Sequence, residues 1–209
     1  MTTTKAPEAL LKRLRDDNRF LLTSHANPDG DAIGSEIALA RFLGERGKQV
    51  RIVNGDATPE TLRFIEQPEG RVEVYDPELH DKLIDEAGLI VLVDNSAPDR
   101  LGRMEATMMA AADRTLCIDH HPARDAPWAH NIVDVESCAT AAMIYELISR
   151  AGGPLDLATA EAIYVGLATD TGFFRFDSTT SRAHEVAAEL LRIGVRPARS
   201  YQQIGRAHV

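Results

Sequence analysis

The sequence predicts an α/β fold in which a mostly parallel β-sheet is flanked by helices, and three observations lead there. Short apolar runs alternate with helical stretches, as successive βαβ units do. One run, Leu89-Ile90-Val91-Leu92-Val93, has no polar alternation, which is how a strand buried on both faces reads. Chemically capable residues come after the runs rather than interrupt them, and open parallel sheets build their sites beyond the carboxyl ends of strands.

Taken in order, Phe20–Ser24 reads as the first strand. Residues 33–46 form a helical pattern, with Ile33, Ile37, Ala40 and Phe42 or Leu43 on one face and Gly47 as the stop. Gln49–Val53 is a second strand, Leu89–Val93 a third, and Thr115–Ile118 a shorter fourth. Met104–Ala112 between the last two is helical. Ser137 is the expected N-cap of a helix running to about Arg150, with Gly152-Gly153-Pro154 as its stop. Residues 158–168 form another helix, and Thr179 or Thr180 caps a last one through Leu191, ended by Gly194.

The composition sets bounds. A chain of 209 residues suits one large domain, or one domain and part of a second, and 44% hydrophobic residues suffice for a core. A net charge of −9 argues against broad binding to duplex DNA, which needs a basic surface, but leaves room for a nucleotide or short oligonucleotide. No run of apolar residues is long enough to span a membrane, and the start of the chain lacks the apolar stretch of a signal peptide. Two cysteines are too few for a disulfide framework, so a reducing cytoplasm is expected.

The residues just past the strands carry the functional reading. His25-Ala26-Asn27-Pro28-Asp29-Gly30-Asp31 comes after the first, Asp94 after the third and Asp119-His120-His121 after the fourth, while Asp170 comes after the helix over 158–168. Each alone reads as a polar turn, a cap or a core histidine. Together, four segments deliver hard oxygen and imidazole ligands to segment ends. Aspartates with histidines fit a pair of Mn²⁺ ions better than a thiolate zinc cage, with Mg²⁺ or Co²⁺ as further possibilities. Two such ions clamp a phosphoryl group and ionise a shared water, and Asp94, on a central strand, is the best candidate to bridge them. Arg100 and Arg103 are candidate phosphate contacts or members of a solvated face. Phe173, Phe174 and Phe176 offer a base-stacking surface, or pack in the core in at least two cases. Cys117 reads as a small apolar core residue and Cys138 as somewhat acidic at a helix start. His80, His130, His184 and His208 read as surface residues.

The set His25-x-Asn27-Pro28-Asp29-Gly30-Asp31, Asp94-Asn95-Ser96, Asp119-His120-His121 and Thr169-Asp170-Thr171-Gly172-Phe173-Phe174-Arg175-Phe176 resembles the DHH phosphoesterases over about residues 8–205. That superfamily holds RecJ-like exonucleases, cyclic-di-AMP phosphodiesterases, family II pyrophosphatases and the nano-RNase/pAp phosphatases, and the fourth motif is of the last style. The resemblance implies that His25, Asp29 and Asp94 hold one divalent metal and that Asp31, Asp94, His120 and Asp170 hold the other. It implies that Asp119 orients a histidine and that His121 faces the scissile phosphate as electrostatic stabiliser or acid. Relatives often dimerise, so a homodimer is a further implication. Most members carry a C-terminal substrate-binding domain with a Gly-Gly-Gly-His-type motif, which is absent from this sequence. Residues 1–195 are accordingly read as the catalytic domain and 196–209 as the start of a linker.

The resemblance implies hydrolysis of short single-stranded RNA oligonucleotides and of 3′-phosphoadenosine 5′-phosphate (pAp) by a metal-activated hydroxide. A cyclic-di-AMP or linear dinucleotide phosphodiesterase is the alternative within the superfamily. A pyrophosphatase is disfavoured by Gly30, where that family has a hydroxyl residue. A module that binds metal and nucleotide without chemistry is the alternative outside it.

Overall fold

The computed structural model describes residues 8–66, 71–122, 126–152 and 154–205. Helix α1 (Glu8–Asp16) leads into β1 (Arg19–Thr23), α2 (Gly30–Gly44) and β2 (Gln49–Asn54). A 3₁₀ segment (Glu60–Ile65), β3 (Val72–Val74), α3 (Pro77–Glu86) and β4 (Leu89–Val93) come next. A second 3₁₀ segment (Pro98–Met104) and α4 (Glu105–Ala110) precede β5 (Thr115–Asp119) and β6 (His130–Val133). Four helices end the chain: α5 (Thr140–Ala151), α6 (Leu157–Asp170), α7 (Ser181–Ile193) and α8 (Pro197–Gly205).

The six strands form one sheet in the order β3-β2-β1-β4-β5-β6, and every neighbouring pair is parallel. Alternate residues of the central strands enter two different cores. Phe20, Leu22, Val91, Leu116 and Ile118 share one core with residues of α2, α5, α6 and α7, while Leu21, Ile90, Leu92 and Cys117 share another with Ile84, Met104 and Met108 on the other face. Burial on both faces explains the unbroken apolar run of β4. β3 and β6, which periodicity does not reveal, are the two edge strands, and each is short and partly polar because only part of it is covered.

The strand order reverses between β1 and β4, where successive connections leave in opposite directions and open a crevice at the carboxyl ends. On one side of that crevice α2 and α6 touch through glycines. A β-carbon on Gly34 would clash with the carbonyl of Ala162, and one on Gly166 would meet Ala141 Cβ at 2.6 Å and Asp31 Oδ1 at 2.9 Å. Two residues without side chains therefore let these helices approach backbone to backbone.

Several expectations change. Helix α5 begins at Thr140 rather than just after Ser137, and no side chain at its cap position accepts from it. Helix α6 runs on through Asp170, and the hydroxyls of Thr169 and Thr171 bond back to the carbonyls of Val165 and Leu167 at 2.9 and 2.7 Å. His80 is buried, not on the surface; its Nδ1 is 3.0 Å from the Asp76 carbonyl and its Nε2 3.4 Å from Glu73. His130 and His184 are exposed as expected, and His208 lies outside the described residues. Residues 197–205, read as the start of a linker, form α8, whose Ser200 is buried and whose Ile204 packs on the larger core.

Candidate metal centre

The crevice collects side chains from five elements. β1 exits into Ser24 and His25, held by Asn54 at the end of β2, whose Oδ1 accepts from the Ser24 amide at 3.1 Å. Asp29 then caps α2: its Oδ1 accepts from the amides of Asp31 and Ala32 at 3.0 and 3.1 Å. That leaves Oδ2 facing His25 Nε2 at 3.9 Å. Asp94 comes after β4 with a left-handed backbone, φ 56°, a conformation that aspartate tolerates better than most residues. Asp119 ends β5, His120 and His121 come next, and Asp170 ends α6.

Their polar atoms converge. His25 Nε2 lies 3.4 Å from Asp94 Oδ2. His120 Nε2 lies 3.3 Å from Asp170, 3.6 Å from Asp94 and 3.8 Å from Asp31. Among the described residues three overlapping groups could hold a cation: His25 with Asp29 and Asp94, Asp31 with His120 and Asp170, and Asp94 with His120 and His121. Asp94 turns one oxygen to each imidazole.

Both imidazoles are committed to one tautomer. His25 Nδ1 lies 2.8 Å from the Ala26 carbonyl and His120 Nδ1 3.2 Å from the Ser137 carbonyl, so Nδ1 carries the proton in each. Each Nε2 then offers a lone pair, and each is buried without a hydrogen-bond partner. Buried polar atoms left in this state are rare unless an ion or ligand completes them. The donor set is oxygen and imidazole alone, which fits ions such as Mn²⁺, Mg²⁺ or Co²⁺.

Charge points the same way. Burial, and after it the charges of Asp94 and Asp170, pushes the Asp31 carboxyl well above its ordinary range. Burial and the Asp29 charge raise Asp94, and burial raises Asp170. Burial and mutual repulsion oppose the charge of all three carboxyls, and bound cations would offset that cost. Asp170 adds to this by sitting at a helix C-terminus, where a cation is favoured.

Asp119 accepts from His121 twice, from the backbone amide at 3.0 Å and from ring Nδ1 at 2.9 Å. Burial opposes ionisation of Asp119, but the bonds from His121 and Ser96 hold its carboxyl below the usual range. The bond to Asp119 in turn raises His121. His121 also lies 3.7 Å from Asp94, but the shorter Asp119 bond occupies its Nδ1, unlike the Nε2 atoms of His25 and His120, which have no hydrogen-bond partner.

Thr140, not evident from the sequence, joins the cluster. Its amide and that of Ala141 donate to the two oxygens of Asp31 at 2.6 and 2.8 Å, and its hydroxyl donates to Asp94 at 3.0 Å. The missing cap of α5 is thus Asp31, and the N-terminal amides and dipole of that helix stabilise its charge. Glu36, also unmarked in the sequence, is fully buried beneath His25 and accepts from Asn54 Nδ2 at 2.9 Å.

A family model, the N-terminal domain of the DHH family, matches residues 19–167 and so takes in β1 through most of α6. The chain belongs to the DHH family. A bifunctional oligoribonuclease and PAP phosphatase NrnA of Thermus thermophilus is 36% identical over 85% of the chain and 51% of its own length. The NrnA of Bacillus subtilis is 27% identical over 93% of the chain and 59% of its own length. Among solved structures, an exopolyphosphatase-related protein from Bacteroides fragilis superposes with a TM-score of 0.90 at 30% identity, covering 97% of this chain and 60% of that one. This DHH chain thus spans little more than half the length of these relatives.

The other candidates in this DHH chain separate on inspection. Arg103 donates to the Tyr75 carbonyl and lies 5.7 Å over its ring, so Tyr75 engages it. Arg100 is exposed, its charge bears on His121, and its carbonyl accepts from Ala26 at 2.7 Å, tying two site loops together. Cys138 is not acidic: burial pushes its thiol up to about 11. Phe173 and Phe174 pack against the core, whereas Phe176 is 57% exposed. Gly172, Phe173 and Phe174 have φ of 56°, 56° and 63°, three successive left-handed residues, which cost about 1–2 kcal/mol each for the two phenylalanines.

Proposed function

We propose that this chain carries the catalytic site of a divalent-metal phosphohydrolase acting on short RNA oligonucleotides and on pAp. One observation carries the reading most: two imidazoles, each fixed in its tautomer, aim a buried, unpartnered Nε2 at a shared carboxylate. A pure binding module has little need of a carboxylate shared between two groups, so the arrangement favours chemistry. The similarity to oligoribonuclease and PAP phosphatase relatives supports the substrate class.

In this reading His25, Asp29 and Asp94 hold one Mn²⁺, and Asp31, Asp94, His120 and Asp170 hold a second. When bound, the two ions supply Lewis acidity to phosphoryl oxygens and acidity to water. The chain's own part is placement. Asp94 spans both groups, the α5 amides orient Asp31 and offset part of the burial that opposes its charge, and the carbonyls of Ala26 and Ser137 fix the imidazoles. His121, oriented by Asp119, faces the phosphate and balances its growing charge as water attacks and the ester bond breaks. Arg100 is the phosphate contact that remains of the two considered. Residues 1–195 are the proposed catalytic domain, and a reducing cytoplasm is the proposed setting, consistent with two free, buried cysteines.

The test is Mn²⁺-dependent hydrolysis of a 5′-phosphorylated diribonucleotide, with pAp, cyclic-di-AMP and pyrophosphate alongside. The expected result is turnover of the first two, lowered at least about 100-fold in Asp94→Asn, the larger loss that even an outer-sphere partner causes. Faster cleavage of cyclic-di-AMP or pyrophosphate than of either would overturn the substrate assignment.

A further inference from the structure

The segment after Asp170 folds back on itself in a strained way that the metal centre does not require. Gly172, Phe173 and Phe174 are left-handed in succession, and such strain in non-glycine residues persists only where surrounding contacts hold it. Those contacts are aromatic and polar. Phe174 lies between the rings of Tyr164 and His184, 6.0 and 5.3 Å away, and Phe173 meets Tyr201 edge-on at 5.1 Å. The amides of Arg175 and Phe176 both return to the Thr171 carbonyl, at 2.9 and 3.0 Å, and Arg175 Nε donates to the Gly172 carbonyl at 2.7 Å.

The consequence is the placement of Phe176. Its ring lies on Gly172 so closely that a β-carbon there would be 2.5 Å from ring atoms, yet the side chain remains 57% exposed. One face is seated on backbone and the other is open. Gly172 is two residues from Asp170, a separation of at most about 7 Å along the chain. A nucleobase stands one ribose from its phosphate, a similar span. The two partly buried phenylalanines thus hold a turn that seats a third aromatic ring on Gly172, two residues from Asp170.

We propose that Phe176 is a specificity-determining platform on which a nucleobase of the substrate stacks while the adjacent phosphate sits among the aspartates and histidines. This rests on the phosphohydrolase reading and deepens it: it makes a base-bearing phosphoester, rather than inorganic phosphate chains, the preferred substrate. Stacking is tolerant of base identity, because every base presents a π-face. The platform therefore predicts a preference for having a base, with little preference among bases.

The experiment compares kcat/KM for a 5′-phosphorylated diribonucleotide with that for its abasic counterpart in the full chain with Mn²⁺, in the parent and in Phe176→Ala, Phe176→Leu and Phe176→Tyr. The expected result is a parent that prefers the base-bearing substrate, a preference that falls about 5- to 150-fold in the alanine and leucine variants, mostly through KM, and that tyrosine retains. A 2-aminopurine dinucleotide should be quenched on binding to the parent and not to Phe176→Leu. Equal losses on both substrates in Phe176→Ala, with Phe176→Leu restored, would show that the ring merely covers Gly172 and would overturn the platform. A parent that hydrolyses both substrates without preference would also overturn the platform while leaving the phosphohydrolase reading intact. A parent that hydrolyses neither would remove that reading, and the platform with it.

Discussion

Removing the hydroxyl of Thr140 tests how far the centre depends on residues that touch no metal. Thr140→Val keeps the shape and the amide that serves Asp31 but deletes the donor to Asp94. Mn²⁺ affinity, measured by titration calorimetry, should fall about 10- to 100-fold; an unchanged affinity would show that Asp94 needs no such hold. Glu36 makes a separate prediction. Burial, partly opposed by its bond from Asn54, raises its carboxyl from 4.5 to about 8. The folded chain keeps this proton up to about pH 8, whereas the unfolded chain releases it above about 4.5. Between those values the native state binds more protons, so stability declines as pH rises, by about 1.4 kcal/mol per unit from this group. In metal-free denaturation, Glu36→Gln should match the parent near about pH 5 and exceed it near about pH 9. A gap that does not widen with pH would mean that Glu36 ionises without penalty. Neither residue stands out in the sequence, and the reason is physical. Thr140 acts on side chains reached only by folding, Asp31 being 109 residues earlier. Glu36 sits in a helix buried on nearly every side, where polarity leaves no periodic trace.

At the scale of elements, strand ends are legible because parallel strands buried on both faces read as unbroken apolar runs, and the residues just past them carry the chemistry. Helix boundaries are legible where the cap is local. Thr180 caps α7 from the adjacent residue, and α7 falls where the sequence places it, whereas α2, capped by Asp29, begins at Gly30, three residues before its apolar pattern. The start of α5 is not legible, because its cap is the distant Asp31. The α2–α6 contact offers a test of packing against propensity. Gly34→Ala must push a β-carbon into the Ala162 carbonyl, whereas Gly44→Ala, at the end of the same helix, meets nothing within 4 Å. The first should destabilise by about 1–3 kcal/mol. The second should stabilise by about 0.5–1 kcal/mol. Thermal unfolding of the two variants reads the sign directly, and two changes of the same sign would contradict the close-contact account.

For the molecule as a whole, a bound cation links the centre to global stability. At about 100 times its dissociation constant, Mn²⁺ should add about 2.7 kcal/mol. For a chain of this size that raises the unfolding midpoint by about 5–11 °C. Chelation should reverse the shift and Asp94→Asn should lack it; a shift that survives in that variant would place the cation elsewhere. The strand order has a consequence beyond positioning. Ligands drawn from residues 25 to 170 meet only where β1 and β4 pair across the reversal, after the intervening β2 and β3 have been placed outside them. Such long-range pairing forms late and slowly. A nascent or misassembled chain therefore holds a scatter of isolated aspartates with little hold on a cation, and under the proposed metal reading cation capture would be a checkpoint that only the finished topology passes.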